Sequence, residues 1–187
     1  MPNYCNYSMC VKGTKENIEE FIKVIDAGYD YSEMKFDYDR HLFRVFSSYY
    51  DEIEDLGDNV YQVIINGDCA WSVSCCMFDG YLSYYNNIKE RYPNEFRGTT
   101  LPIESEKLNL DIEVFSEECG EGFQEHYVIS NGIINVDDSV DYQTYYMDNY
   151  ETKEEAEEDV GRSITDEEWE DGNGCIEVGG FDWDFTI

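Results

Sequence analysis

Residues 151–172 read ETKEEAEEDVGRSITDEEWEDG. Eleven of the 22 are Asp or Glu, opposed only by Lys153 and Arg162. No core absorbs such a run, because an unpaired buried carboxylate costs far more than apolar burial returns. The fold must carry this segment on its surface and build its core elsewhere. The rest of the chain is equipped for that, with 17 Tyr, 10 Phe and 3 Trp, too many for a disordered polyanion. A length of 187 residues suits one domain of ordinary size. The reading is a single α+β domain over 1–187, with residues 137–172 as an acidic helical insertion or appendage within it.

The charge is large and uneven. The net of −31 far exceeds the magnitude of roughly 2–8 that keeps a small domain soluble. Residues 1–100 carry 17 acids and 9 bases, whereas residues 101–187 carry 26 acids and 3 bases. Self-repulsion on this scale destabilises a compact state, and a basic partner or bound cations would relieve it. Nucleic acid and anionic membrane surfaces are poor partners, and no apolar run approaches the roughly 20 residues that span a bilayer.

Seven cysteines are present (Cys5, Cys10, Cys69, Cys75, Cys76, Cys119 and Cys175), an odd number with no CxxC pair. His41 and His126 are far apart, so a zinc site lacks its ligands. Reduced thiols, mostly buried in strand-like runs, are expected in a cytosolic (cytoplasmic) protein. No cofactor is implied.

Periodicity divides the chain into short elements. YCNYSMCVKG, 4–13, alternates as a strand. Thr14 then caps a helix, with Asn17 at the third position, Ile18, Phe21, Ile22 and Ile25 on one face, and Gly28 as the stop. Residues 42–46 suggest a strand and 48–55 a short helix. VYQVIIN, 60–66, Gly67-Asp68 and CAWSVSCCMF, 69–78, predict a hairpin, and YLSYYNNIKERY, 81–92, predicts a helix. LDIEVFSEE predicts a strand, and Gly120 and Gly122 a turn. FQEHYVIS and GIINVDD, joined at Asn131-Gly132, predict a second hairpin, followed by a strand at 140–147. TKEE, 152–155, and TDEE, 165–168, are capping boxes that open two acidic helices broken at Gly161. CIEVGGFDWDFTI predicts one or two closing strands. The fold class is α+β, an antiparallel sheet with a few helices and an acidic helical C-terminal segment.

The opening MPNYCNYSMCVKG resembles the start of an uncharacterised family of phage and plasmid proteins with a YubB-type ferredoxin-like domain. Met1, Pro2, Asn3, Cys5, Asn6, Val11 and Gly13 match its pattern, and Tyr4 stands where the family has Trp. EVFSEECGEGFQEHY, 113–127, is similar to a later strand and Gly-rich turn of that family. The resemblance implies a ferredoxin-like fold and a mobile-element origin, and no catalytic residues.

The acidic segment carries the functional reading. Between Asp137 and Asp171 lie 15 acids and 2 bases. Carboxylates held a few Å apart on ordered elements imitate a nucleic acid backbone and occupy the Lys and Arg rows that bind phosphates. Salt adaptation would spread acids evenly; here they cluster. The contact acids are Glu154, Glu155, Glu157, Glu158, Asp159, Glu167, Glu168 and Asp171. Tyr145, Tyr146, Tyr150 and Trp169 beside them suit interface anchors. Residues 29–55 and 104–125 also hold acids and tyrosines and are the other places a groove could be met.

Enzymatic readings carry less. With 43 acids, some carboxylate pair always lies at a workable distance. Cys119 and His126 form a conceivable nucleophile–base pair across a turn. P-loop, Rossmann and GxSxG patterns are absent. Asp137, Asp138 and Asp141, or Glu170 and Asp171, do not fit an EF-hand. The expectation is a phage-derived, non-enzymatic inhibitor of a basic, nucleic-acid-binding host defence protein. A CRISPR effector nuclease is favoured over a restriction enzyme, because it offers a wide basic channel. The alternative is a phage adaptor or structural module whose acids are solvated.

Overall fold

The computed structural model describes residues 3–30, 32–33, 35–78, 98–170 and 174–187. Strand β1 (Tyr4–Gly13) turns Cys5, Tyr7, Met9 and Val11 to one face, as its alternation demands. Helix α1 (Lys15–Ile25) starts where Thr14 Oγ1 accepts the Asn17 N–H at 3.3 Å. It buries Ile18, Phe21, Ile22, Val24 and Ile25. It ends at Asp26, whose N–H closes on the Ile22 carbonyl, and not at Gly28. The Gly28 N–H instead reaches Asp37 Oδ1 at 2.8 Å, in the loop beyond the short ribbon of β2 (Tyr29–Asp30) and β3 (Lys35–Phe36).

The stretch from 45 to 78 departs from the sequence reading. The helix expected at 48–55 is absent; β4 (Val45–Tyr50) and β5 (Glu54–Gly57) lie there. The helical spacing of Tyr49, Ile53 and Leu56 is overridden because both strands find backbone partners on one long strand, β6 (Val60–Ala70). Gly67-Asp68 makes no turn, since β6 runs straight through both. Gly67 is needed for close approach: a Cβ there would stand 2.2 Å from the Ser47 carbonyl oxygen and 2.5 Å from the Tyr7 hydroxyl. The hairpin lies earlier, at Asp58–Asn59, both left-handed at φ 51° and 61°. Residues 69–78 therefore give no return strand. Ser72 accepts the Cys75 N–H at 3.0 Å and caps a short helix, α2 (Val73–Met77), so Cys75 is helical. The helix expected at 81–92 lies outside the described residues.

The second half follows its pattern more closely. Helix α3 (Leu101–Leu108) is capped by Thr100, with Pro102 in its first turn. Strands β7 (Asp111–Glu118), β8 (Phe123–Ser130) and β9 (Ile133–Tyr146) form a meander. Its second turn places Asn131 and Gly132 at φ 48° and 77°. The strand expected at 140–147 is the continuation of β9, which absorbs a register shift opposite Val128 and Ile129. Helices α4 (Lys153–Val160) and α5 (Asp166–Glu170) precede β10 (Cys175–Gly179).

These strands form one antiparallel sheet in the order β10-β9-β8-β7-β1-β6-β4, with β5 also paired to β6. One face carries the main core: Met9 and Val11, Val63 and Ile65, Ile112 and Val114, and Ile129 meet α1 and α3. The Asn17 side-chain amide donates to the Leu108 carbonyl at 2.7 Å and ties the two helices together. Of the one or two closing strands expected, β10 is one; residues 181–187 instead partly cover the opposite face of the sheet. Phe181, Trp183 and Phe185 alternate with exposed Asp182 and Asp184 and gather round Phe115, and the backbone N–H groups of Phe181, Thr186 and Ile187 donate to side chains of the sheet, so the run packs as an extended strap outside the strand ladder.

Candidate functional site

The acidic segment is an excursion between two paired strands. The end of β9 pairs with β10, Tyr145 facing Ile176 and Tyr146 facing Cys175, and the Met147 N–H bonds the Gly174 carbonyl at 3.2 Å. Of the stretch 137–172, residues 137–146 lie in β9; a 3-10 turn (Met147–Asn149), α4 and α5 follow. A small core of its own holds the excursion: Met147, Ala156, Val160, Ile164 and Ile176 are buried, and Tyr145, Tyr150 and Trp169 pack against them half-buried. Of the four aromatics expected as anchors, Tyr146 is the exposed one, at 54%.

Both acidic helices begin as their capping residues dictate. Thr152 Oγ1 accepts the Glu155 N–H, and Glu155 Oε2 accepts the N–H of Glu151 at 3.1 Å. At α5 the box is reciprocal: Thr165 Oγ1 takes the Glu168 N–H at 3.2 Å, and Glu168 Oε2 takes the Thr165 N–H at 2.7 Å. Gly161, at φ 77°, ends α4 with its N–H on the Glu157 carbonyl.

Helical geometry sorts the contact acids into two groups. Each residue advances about 100° round the axis. Ala156 and Val160 mark the buried stripe, and Glu154 and Glu158 stand roughly opposite it. Neither makes a hydrogen bond to a described residue, and the same holds for Glu167 on α5; all three are exposed. The acids on the flanks are used within the segment. Glu157 Oε1 accepts the Ile164 N–H at 2.9 Å, and Asp159 Oδ2 accepts the Tyr150 hydroxyl at 2.8 Å. Arg162 forks onto Glu168 at 2.7 and 3.3 Å, and Lys153 meets Asp166 at 2.6 Å. The Arg162 hydrogen bond, aided by those from Thr165, holds the Glu168 carboxyl at about 2. Lys153 likewise lowers Asp166, and Asp159 pushes the Tyr150 hydroxyl up to about 12. Asp171 lies outside the described residues.

The structure also shows buried carboxylates that the sequence left unmarked. Glu104, Glu113, Glu118 and Glu125 are all under 5% exposed. Glu125 Oε2 accepts the N–H groups of Val73 and Ser74 and the Ser116 hydroxyl, so a strand carboxylate closes the start of α2. Glu118 takes the N–H groups of Gly120 and Glu121 in the following turn. Arg40 bridges Glu104 and Glu20 at 2.9 and 2.6 Å. Glu113 accepts from Thr186 N–H at 2.5 Å, Ile187 N–H at 3.0 Å and His126 Nε2 at 2.9 Å. Burial pushes its carboxyl up, but these bonds outweigh burial and leave it below the ordinary value. Strand alternation marks Glu113, Phe115 and Glu117 as one face; nothing local says that residues 181–187 will cover it.

His126 is thereby committed to Glu113 and stacks on Phe115 at 4.1 Å, while Cys119 is exposed in the turn. Among the described residues, no hydrogen bond joins that pair as nucleophile and base. Five cysteines, Cys119 and Cys175 excepted, are buried or half-buried. Burial raises the Cys10 thiol to about 11. Among the described residues, no three His, Cys, Asp or Glu side chains converge to hold a metal, and no helix is long and apolar enough to cross a membrane. Compared with protein-family models, with curated proteins and with solved structures, the chain matches none.

Proposed function

We propose that the protein is a phage-derived, non-enzymatic inhibitor that acts by charge. In this reading it binds a basic, nucleic-acid-handling defence protein of the bacterial host and occupies its DNA groove, in the host cytoplasm. A CRISPR effector nuclease is the favoured target and a restriction enzyme the second. The observation that carries the proposal is the division of labour among the acids. Glu154, Glu158 and Glu167 project from capped helices with side chains that make no hydrogen bond to a described residue, while their neighbours spend their oxygens on the segment's own fold. Carboxylates fixed in this way have little freedom left to lose on binding and are free to accept Lys and Arg.

We further infer a ferredoxin-like unit within the sheet. With the ribbon of β2 and β3, strand β5 and helix α2 taken as insertions, β1-α1-β4-β6-α3-β7 runs β-α-β-β-α-β, and its strands lie in the order β7-β1-β6-β4, which supports that reading and the phage-family resemblance. The helices α4 and α5 and their small core form the acidic appendage to it.

The test is DNA cleavage by purified CRISPR effector nucleases and restriction enzymes with the protein added, together with affinity across a salt series. Inhibition with affinity that falls steadily as salt rises is expected, because exposed ion pairs are screened. Undiminished cleavage across the panel, or an affinity independent of salt, would overturn the proposal. The adaptor reading draws on the same hydrogen bonds: Glu155, Glu157, Asp159 and Glu168 serve the fold, and it assigns the remaining acids to water.

A further inference from the structure

Away from the acidic helices, the second face of the sheet holds a concavity of about 330 Å³. It opens where β1, β6 and β4 meet the strap of residues 181–187. Its lining includes three aromatic residues, Tyr7, Tyr49 and Trp183, with the carboxylates of Asp68 and Glu117 and the amides of Asn6 and Asn66. Among the described residues, no Lys, Arg or His lines it. Asp68 Oδ2 accepts from the Ser47 hydroxyl, and Glu117 Oε2 accepts from the Gln124 side-chain amide at 3.3 Å; the second oxygen of each carboxylate makes no hydrogen bond to a described residue. Tyr49 is 66% exposed, and next to it Tyr4 and Phe46 form an exposed aromatic pair with centroids 5.3 Å apart.

Aromatic faces and unspent carboxylates attract the same ligand, a cation with a flat or alkyl body. A phosphate or a nucleotide would meet two negative charges. A second copy of the chain would bring another net charge of −31 against the first. We propose that this pocket receives one arginine side chain of the basic protein partner. The guanidinium stacks between Tyr49 and Trp183 and donates to Asp68 and Glu117, and the neighbouring residues of the partner lie over Tyr4 and Phe46. Arginine suits the site better than lysine because its planar head stacks and donates in a fork at once. This assignment rests on the reading of the protein as a binder of a basic protein, and it adds a specific contact point on a face distant in sequence from the acidic excursion.

The experiment is a ¹H–¹⁵N titration of the full chain with N-acetyl-arginine N-methylamide, with the neutral citrulline analogue as control. Saturable shifts at the Asn66 and Gly67 amides and the Trp183 indole, seen with arginine and not with citrulline, are expected. Tyr49→Leu, an exposed edge position, should weaken binding roughly two- to fivefold. Asp68→Asn with Glu117→Gln should abolish it while the remaining spectrum overlays that of the wild type. Shifts confined to α4 and α5, shifts that never saturate, or equal shifts with citrulline would overturn the assignment. The target assay separates the two ideas. Inhibition that survives unchanged in all the pocket variants refutes the pocket and leaves the inhibitor reading standing. An arginine-specific pocket in a protein that inhibits no nuclease refutes the inhibitor reading and leaves the pocket as a site for a basic segment of another protein.

Discussion

Glu113 offers the sharpest test of how the second face of the sheet is held. Its carboxylate is fully buried and accepts from four donors: the Thr186 and Ile187 N–H groups, the Thr186 hydroxyl and His126 Nε2. In Glu113→Gln one carbonyl oxygen remains, enough for the two backbone donors, but the charge is gone. Hydrogen bonds to a charged group contribute about 1.5–3 kcal/mol and neutral ones about 0.5–1.5, so each of the two weakens by about 1 kcal/mol. The new amide nitrogen faces the histidine and the hydroxyl, both of which can turn acceptor. The expected loss is about 2 kcal/mol. Glu113→Ala strands the donors without a partner and should lose about 3–5 kcal/mol, several unmet donors at about 1–3 kcal/mol each. Urea denaturation followed by circular dichroism measures both, and amide exchange at Thr186 and Ile187 reports the strap directly. The pH dependence has a definite sign. The folded carboxyl titrates below its ordinary value, so its contribution is complete above that value and disappears as pH falls through the depressed one. In Glu113→Gln this acid-side loss should be smaller by that amount. If both variants match the wild type within about 0.5 kcal/mol and the strap amides stay equally protected, Glu113 does not hold the strap and the reasoning fails.

Phe21, fully buried between α1 and the sheet, should lose about 3–5 kcal/mol on change to Ala; a loss under about 1 kcal/mol would mean that α1 does not seal the core. Joint reversal of Glu154, Glu158 and Glu167 to Lys should leave the thermal midpoint unchanged or raised, because it relieves self-repulsion, and should abolish inhibition by setting like charge against a basic groove; retained inhibition would make these acids solvated surface. Gly67→Ala should destabilise the protein strongly, since its Cβ would fall 2.2 Å from the Ser47 carbonyl; a denaturation curve like that of the wild type would place β4 elsewhere. Glu168, held to about 2 by Arg162, should keep α5 capped well below pH 4 and release it only as pH approaches that value; in Arg162→Ala the release should come at higher pH, read from the Thr165 and Glu168 amide shifts.

Local signals were strongest where the chain satisfies its own backbone nearby. Thr14, Thr152, Thr165 and Gly161 mark helix ends by chemistry that acts over three or four residues, and Asn131-Gly132 marks its turn because those residues tolerate a left-handed backbone. The clustering of acids was equally legible, and with it the demand for a surface location. What the sequence could not decide was which segments share a face. β4 and β5 are strands because β6 offers them a ladder, and Gly67 stays in that strand because Tyr7 and Ser47 crowd it, although Gly-Asp alone reads as a turn. The burial of Glu113 depends on residues more than seventy positions away folding back across it, and the free or committed state of each acid on α4 follows its angle from Ala156 and Val160. The pocket lined by Tyr49 and Trp183 is built from five separate stretches of chain. Composition sets how much charge must be carried; only tertiary packing determines which carboxylates are left with an unspent oxygen.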